Sequence, residues 1–196
     1  MPPGAVLYFD VGSPFSYLAV ERAAHVLGFA PEFRPVLLGA LFAARGHGSW
    51  ASSGDPARRT AGMLEVQSRA AAYGLPPVRW PRPWPGSYLT AMRIATWARR
   101  QGAAGAFALA AGRRAFVQGR DLSLPDEAAA AAAAAGLDPD AALRATADPA
   151  IKAALREATE AAFARGVRGV PTLALGGALY YGDDRLEAAA AALAPA

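Results

Sequence analysis

Ser13 and Ser16 bracket Pro14-Phe15 directly after the apolar run Leu7-Tyr8-Phe9, and a helical stretch begins at the proline. A hydroxyl at the start of a helix lies among backbone N–H groups without intrahelical partners, where the helix dipole favours negative charge. Taken alone, Ser13-Pro14 reads as an ordinary cap, because serine satisfies the first amides and proline fits the first turn. The same hydroxyl is not arranged as a hydrolase nucleophile. His25 follows Ser13 by 12 residues on the same expected helix, about 18 Å away by helix rise. His47, in Arg45-Gly46-His47-Gly48-Ser49, is not accompanied by a Gly-x-Ser-x-Gly elbow. With no cysteine and 2 histidines in the chain, a zinc site lacks ligands. Any sulfur chemistry here therefore depends on a thiol brought in by a cosubstrate.

The elements that would position these serines are readable from pattern. Ala5 to Asp10 is short, apolar and bounded by Pro-Gly and Gly-Ser, which predicts a central strand. A helix follows from Pro14 to about Leu27 with Gly28 as its stop. Glu32-Phe33-Arg34-Pro35-Val36-Leu37-Leu38 alternates in polarity and predicts a second strand ending at Gly39. From Leu41 to Gly166 the pattern is helical, with helices expected over Ala61 to Tyr73, Leu89 to Gln101, Ala104 to Gln118, Asp126 to Ala135 and Pro149 to Arg165. Ser123 and Asp126 are placed as a capping pair, and Ile151, Leu155, Ala158 and Ala162 share one helical face. Thr172 to Leu175 and Ala178 to Tyr181 flank Gly176-Gly177 as a hairpin, and a closing helix is expected over Arg185 to Leu193.

A chain of 196 residues fits one compact unit. Alanine supplies much of the 54% hydrophobic fraction, so the large core side chains must be Leu, Val, Phe, Tyr and Trp. The net charge of +4 and pI near 9.8 come from dispersed arginines with no basic block interleaved with aromatics, which argues against a nucleic-acid partner and suits small anionic ligands. Charges, glycines and prolines interrupt every alanine-rich stretch before the roughly 20 apolar residues of a membrane span. Met1 to Gly4 is short for a signal peptide. The expectation is a soluble, cytoplasmic protein without a membrane partner.

A second element stands far downstream, at Gly169-Val170-Pro171-Thr172-Leu173, followed by Gly182-Asp183-Asp184-Arg185. Together with Ser13-Pro14-Phe15-Ser16 and the missing cysteines, these segments resemble the DsbA-like thioredoxin-fold family of 2-hydroxychromene-2-carboxylate isomerases and kappa-class glutathione transferases. In thioredoxin-like proteins a Cys-Pro-x-Cys segment occupies the strand-to-helix junction, and here Ser13 and Ser16 stand at the two sulfur positions. The resemblance implies an α/β fold, with a thioredoxin-like domain over residues 1–40 and 166–196 interrupted by an all-helical insertion over 41–165.

It also implies roles. Ser13 would be the catalytic residue, donating a hydrogen bond to the sulfur of glutathione or another low-molecular-weight thiol. Val170 and Pro171, as a cis-proline loop, would hold the peptide-like part of that cosubstrate, and Asp183 and Asp184 would meet its γ-glutamyl group. Asp183 replaces the neutral residue usual in relatives. In the rigid segment Gly74 to Ser87, Trp80 and Trp84 would wall in an aromatic carboxylate substrate, with Arg79 or Arg82 on its carboxylate. The Asn-x-x-Pro loop of relatives is replaced here by Ser49 to Arg59, where Pro56 remains.

A homodimer is the quaternary state that the family's habit implies. The implied activity is a glutathione-dependent cis-trans isomerase of the 2-hydroxychromene-2-carboxylate type; a kappa-like transferase and a non-catalytic peptide-binding module are the alternatives. Holding a thiol about two units below its ordinary pKa near 8.5 takes roughly 2.7 kcal/mol. A helix N-terminus supplies up to ~2 kcal/mol and a hydroxyl on a charged acceptor ~1.5–3 kcal/mol, so no histidine base is required.

Overall fold

The computed structural model describes residues 4–46, 48–52 and 54–193. Its strands come from the two ends of the chain: β1 (Val6–Phe9), β2 (Glu32–Pro35), β3 (Thr172–Leu175) and β4 (Ala178–Tyr181), in the spatial order β2-β1-β3-β4. β1 runs parallel to β2 and antiparallel to β3, so Leu7 faces Phe33 on one side and Leu173 on the other. β3 and β4 form the expected hairpin, with Leu175 paired to Ala178. Gly176 and Gly177 between them have φ of 56° and 86°, two successive left-handed residues of the kind a tight hairpin favours and a Cβ opposes.

Around the sheet are α1 (Pro14–Leu27), α2 (Leu38–Ala43), α3 (Pro56–Ala72), α4 (Leu89–Arg100), α5 (Ala104–Phe116), α6 (Pro125–Ala134), α7 (Pro139–Ala145), α8 (Pro149–Ala164) and α9 (Leu186–Ala191). Successive side chains of the fully buried β1 point to opposite faces. Leu7 and Phe9 join the larger apolar cluster with Leu18, Met92 and Phe107, while Val6 and Tyr8 join a smaller one with Val36, Leu41 and Val170. The largest fully buried side chains are of the expected types, Tyr8, Phe9, Phe107 and Phe116 among them. Alanines such as Ala91, Ala95, Ala111, Ala128 and Ala131 are sealed in the same cluster, and small residues at helix contacts let axes approach closely.

Several elements depart from the pattern reading. α3 starts at Pro56 instead of Ala61, because the Asp55 carboxylate accepts the Ala57 and Arg58 amides and proline occupies the first position. The same Asp-Pro device, Asp138-Pro139, starts the unforeseen α7. The Ser123–Asp126 capping pair does not form: Leu124 holds the N-cap without a side-chain bond, and the Ser123 amide donates to Asp121. On α8, Ile151, Leu155 and Ala162 are buried as expected, but Thr159 takes the remaining place while Ala158 stays half-buried.

The second strand ends at Pro35, and Gly39 lies inside α2 rather than ending a strand. Amides at the start of α2 are satisfied from afar, Leu37 N–H by Thr159 Oγ1 at 3.0 Å and Leu38 N–H by an Asp10 carboxylate oxygen at 2.9 Å. Those partners lie 122 and 28 residues away in sequence, so no local pattern could announce them.

Candidate active site

The turn between β1 and α1 is built from its own polar atoms. Ser13 is the N-cap of α1, and its Oγ accepts the Ser16 amide at 3.2 Å. Pro14, at the first helical position, has no N–H to satisfy. The Ser13 amide donates to the Asp10 carbonyl at 3.0 Å, and the Asp10 amide reaches Ser16 Oγ at 3.4 Å. A hydroxyl that accepts one bond still holds a proton to donate, so the cap reading and a ligand-facing role are compatible at Ser13.

Ser13 is only 3% exposed, yet it lines a cavity of about 520 Å³, within the range of small-molecule sites. Val170 lines the same cavity, and the Val170-Pro171 bond is cis. The two ends of the chain, 157 positions apart by the numbering of Ser13 and Val170, thus meet at one site.

Asp10 lines this cavity too. Its two carboxylate oxygens accept the amides of Gly12 and Leu38, each at 2.9 Å. Burial raises its pKa above the ordinary aspartate value, against the pull of those two amides. Tyr88 stands on the other side of the turn with its ring against Gly12: a Cβ at residue 12 would lie 2.3 Å from a Tyr88 ring carbon. The Tyr88 hydroxyl is buried, and desolvation pushes its pKa up to about 12.

The aromatic wall is only partly the expected one. Trp84 is buried and lines the Ser13 cavity, with its indole N–H directed at the Gly12 carbonyl. Its neighbour along that wall is Trp50, 5.4 Å away between ring centroids, and Trp50 meets Phe15 at 6.2 Å. Trp80 packs behind Trp84 at 4.6 Å and lines a second cavity of about 440 Å³, together with Arg59 and Arg82. Trp80 and Arg82 are therefore not among the residues lining the Ser13 cavity.

The acidic turn lies outside the lining of the Ser13 cavity: neither Asp183 nor Asp184 is among its residues. Asp183 is 0% exposed; its carboxylate accepts from Arg69 Nη1 at 2.9 Å and from the Tyr73 hydroxyl at 3.0 Å, and its carbonyl accepts from Arg22. Burial raises its pKa, with Arg69 and Tyr73 pulling the other way. The negative charge at this position is thus matched by an internal cation. Asp184 is half-exposed and 3.6 Å from the same Arg69, whose guanidinium also lies over the Phe15 ring.

Sequence reasoning missed Asp10, Gly12, Trp50, Tyr88 and Tyr181 as lining residues. A solitary tryptophan in a polar loop was the one signal for Trp50, and Gly62 confirms its seat: a Cβ there would come within 2.4 Å of the Trp50 ring. Among the described residues, no helix is long and apolar enough to cross a membrane and no acidic, histidine or cysteine cluster could hold a metal. His47 lies outside the described residues.

Residues 6–194 match the family model of the DSBA-like thioredoxin domain. The chain belongs to that family. This DsbA-like chain is 32% identical over 186 residues to a 2-hydroxychromene-2-carboxylate isomerase from Sphingobium xenophagum, covering 92% of each. Among solved structures, a 2-hydroxychromene-2-carboxylate isomerase superposes with a TM-score of 0.84 at 24% identity, covering 96% of this chain and 93% of that one. A probable DsbA oxidoreductase from Streptomyces coelicolor gives 0.73 at 23% identity, with 96% and 87% covered. The cytosolic disulfide reductase DsbM from Pseudomonas aeruginosa, solved with GSH, gives 0.62 at 15%, with 93% and 92% covered. These structural likenesses establish an α/β DsbA-like thioredoxin fold with a mixed sheet, as expected. This member carries no cysteine and has hydroxyls at Ser13 and Ser16.

Proposed function

We propose that the chain uses a borrowed low-molecular-weight thiol, glutathione first among them, to isomerise a conjugated double bond in an aromatic unsaturated compound of the 2-hydroxychromene-2-carboxylate type. One observation carries this reading: in a chain without cysteine, a Ser13 hydroxyl with a proton free to donate shares its cavity with Val170, the residue before the cis proline. The isomerase named for its 32%-identical relative supports the reaction class.

The Ser13 hydroxyl and the N-terminus of α1 would favour a thiolate over a thiol. A sulfur lone pair then forms a C–S bond to the β-carbon of the conjugated system, and the π electrons move onto the carbonyl oxygen. Rotation about the new single bond and collapse of the enolate expel the same thiolate, leaving the double bond in its other geometry. Nothing is oxidised and no proton is consumed. Burial raises the Asp10 pKa above the ordinary aspartate value, while the Gly12 and Leu38 amides on its two oxygens pull it back. Val170 offers backbone groups to an extended cosubstrate. Half-exposed Asp184 with Arg69 is assigned to its amino-acid end, and Asp183 to holding that turn.

Following the absorbance of a chromene carboxylate with and without glutathione tests the proposal. Turnover that needs the thiol and leaves it unconsumed supports isomerisation. A stable thioether product instead indicates a transferase, and peptide binding indifferent to thiols indicates a binding module.

A further inference from the structure

The second cavity brings positive charge and aromatic faces together. Arg59, on α3, and Arg82, in the loop before α4, line it with Met63, Trp80 and Trp84, and its volume of about 440 Å³ falls within the range of small-molecule sites. Arg59 is held in place: its guanidinium donates to the Trp84 carbonyl and lies 5.7 Å from the centroid of the Trp84 ring. A guanidinium carries several N–H donors, so that contact leaves capacity for a further acceptor. Arg82 is exposed and stands between Pro81 and Pro83, whose rings fix φ and reduce the backbone freedom that binding would remove. Among the described residues, neither guanidinium is paired with a carboxylate, whereas Arg22, Arg34, Arg69, Arg99, Arg113 and Arg114 each are.

We propose that this cavity is a binding site in its own right for an aryl carboxylate, with the carboxylate on Arg82 and Arg59 and the ring against the tryptophans. A planar guanidinium matches the two oxygens of a carboxylate, and an indole can replace water against an aromatic ring. The site recognises charge and ring, needs no sulfur and no reactive alkene, and so goes beyond the thiol-dependent reaction without depending on it. Its position gives it a use. Trp84 lines both cavities, with Trp80 4.6 Å behind it between ring centroids, so an acid held here is separated by one indole from the space that Ser13 lines. A chromene carboxylate is one member of the class, and the second cavity would keep such an acid beside the place where it reacts.

The probes are 2-naphthoate and 2-naphthamide, which share the ring system and differ in one negative charge. Binding is measured by titration calorimetry at neutral pH without thiol, on the natural protein, Arg82→Gln and Arg79→Gln. Arg82 is exposed, so its replacement leaves the core intact. Arg79 is exposed too, lies three positions earlier and is not among the residues lining the cavity; its variant removes the same charge from the same loop. The expected result is that naphthoate binds the natural protein about tenfold or more tighter than the amide, the scale of a hydrogen bond to a charged group. Arg82→Gln should weaken naphthoate by about tenfold and leave the amide little changed, and Arg79→Gln should leave both near their natural values. An amide bound as tightly as the acid, binding of neither probe, an acid affinity that survives Arg82→Gln, or an equal loss in Arg79→Gln overturns the assignment. Since no thiol and no turnover enter the measurement, its outcome stands apart from that of the chromene assay: either reading can fail while the other holds.

Discussion

Trp84 donates its indole N–H to the Gly12 carbonyl, 3.4 Å away, and so fastens the aromatic wall to the turn that presents Ser13. The two surfaces a substrate would touch are thereby held by one contact. Trp84→Phe keeps an apolar ring and loses this bond. We expect a stability loss of about 0.5–1.5 kcal/mol, with the midpoint of urea unfolding as the readout. Trp84→Ala should cost more, ~3–5 kcal/mol, because a buried ring is removed.

Gly12 is a position where shape matters more than chain flexibility. A methyl group there would collide with the Tyr88 ring, which is wedged between the turn and the start of α4. Gly12→Ala should destabilise by about 1–3 kcal/mol, the usual result of overpacking. A Gly12→Ala, Tyr88→Ala pair should recover part of it relative to the sum of the single changes. Equilibrium denaturation of the four proteins provides the cycle.

Asp10 makes a prediction about pH. Its folded pKa is raised by burial, so between the ordinary value near 3.9 and the folded one the native state binds more protons than the unfolded chain. The contribution of Asp10 to stability is then fully present in acid and is lost as pH rises through the folded pKa. Asp10→Asn removes this titration but supplies one acceptor oxygen where two amides need two. The variant should be less stable at every pH, with its deficit against the natural protein shrinking as pH climbs from the acid range to neutrality. A deficit that widens over that range would contradict the burial argument.

Arg69 and Asp183 provide an internal ion pair whose breaking should be visible. Arg69→Met leaves a fully buried carboxylate with the Tyr73 hydroxyl as its remaining side-chain partner. We expect a loss of about 1.5–3 kcal/mol, the scale of hydrogen bonds to charged groups, and recovery of part of it in Arg69→Met, Asp183→Asn, which removes the orphaned charge. Thermal unfolding at neutral pH is sufficient to see it.

What the sequence made legible follows the range of each interaction. The strand, cap and helix around Ser13 are local devices and were readable, as was the Gly176-Gly177 hairpin. The strand boundary at Pro35 was not, because α2 is started by Asp10 and Thr159 from distant parts of the chain. Asp183 read as a ligand; its partners, Arg69 on α3 and Tyr73 at that helix's C-cap, lie 114 and 110 positions away. Trp80 and Trp84 are alike in sequence, yet the packing turns Trp84 toward Ser13 and leaves Trp80 behind it. Which residues could do chemistry was visible; which of them face the same space was decided by tertiary contacts.

The central claim concerns a sulfur atom the chain does not own. Titrating glutathione with the protein while following thiolate absorbance against pH measures it directly. The account predicts that the natural protein lowers the thiol pKa by about one to two units from its ordinary value near 8.5, and that Ser13→Ala returns it by ~1 unit. An unshifted thiol in the natural protein, or the same shift in both proteins, would contradict it.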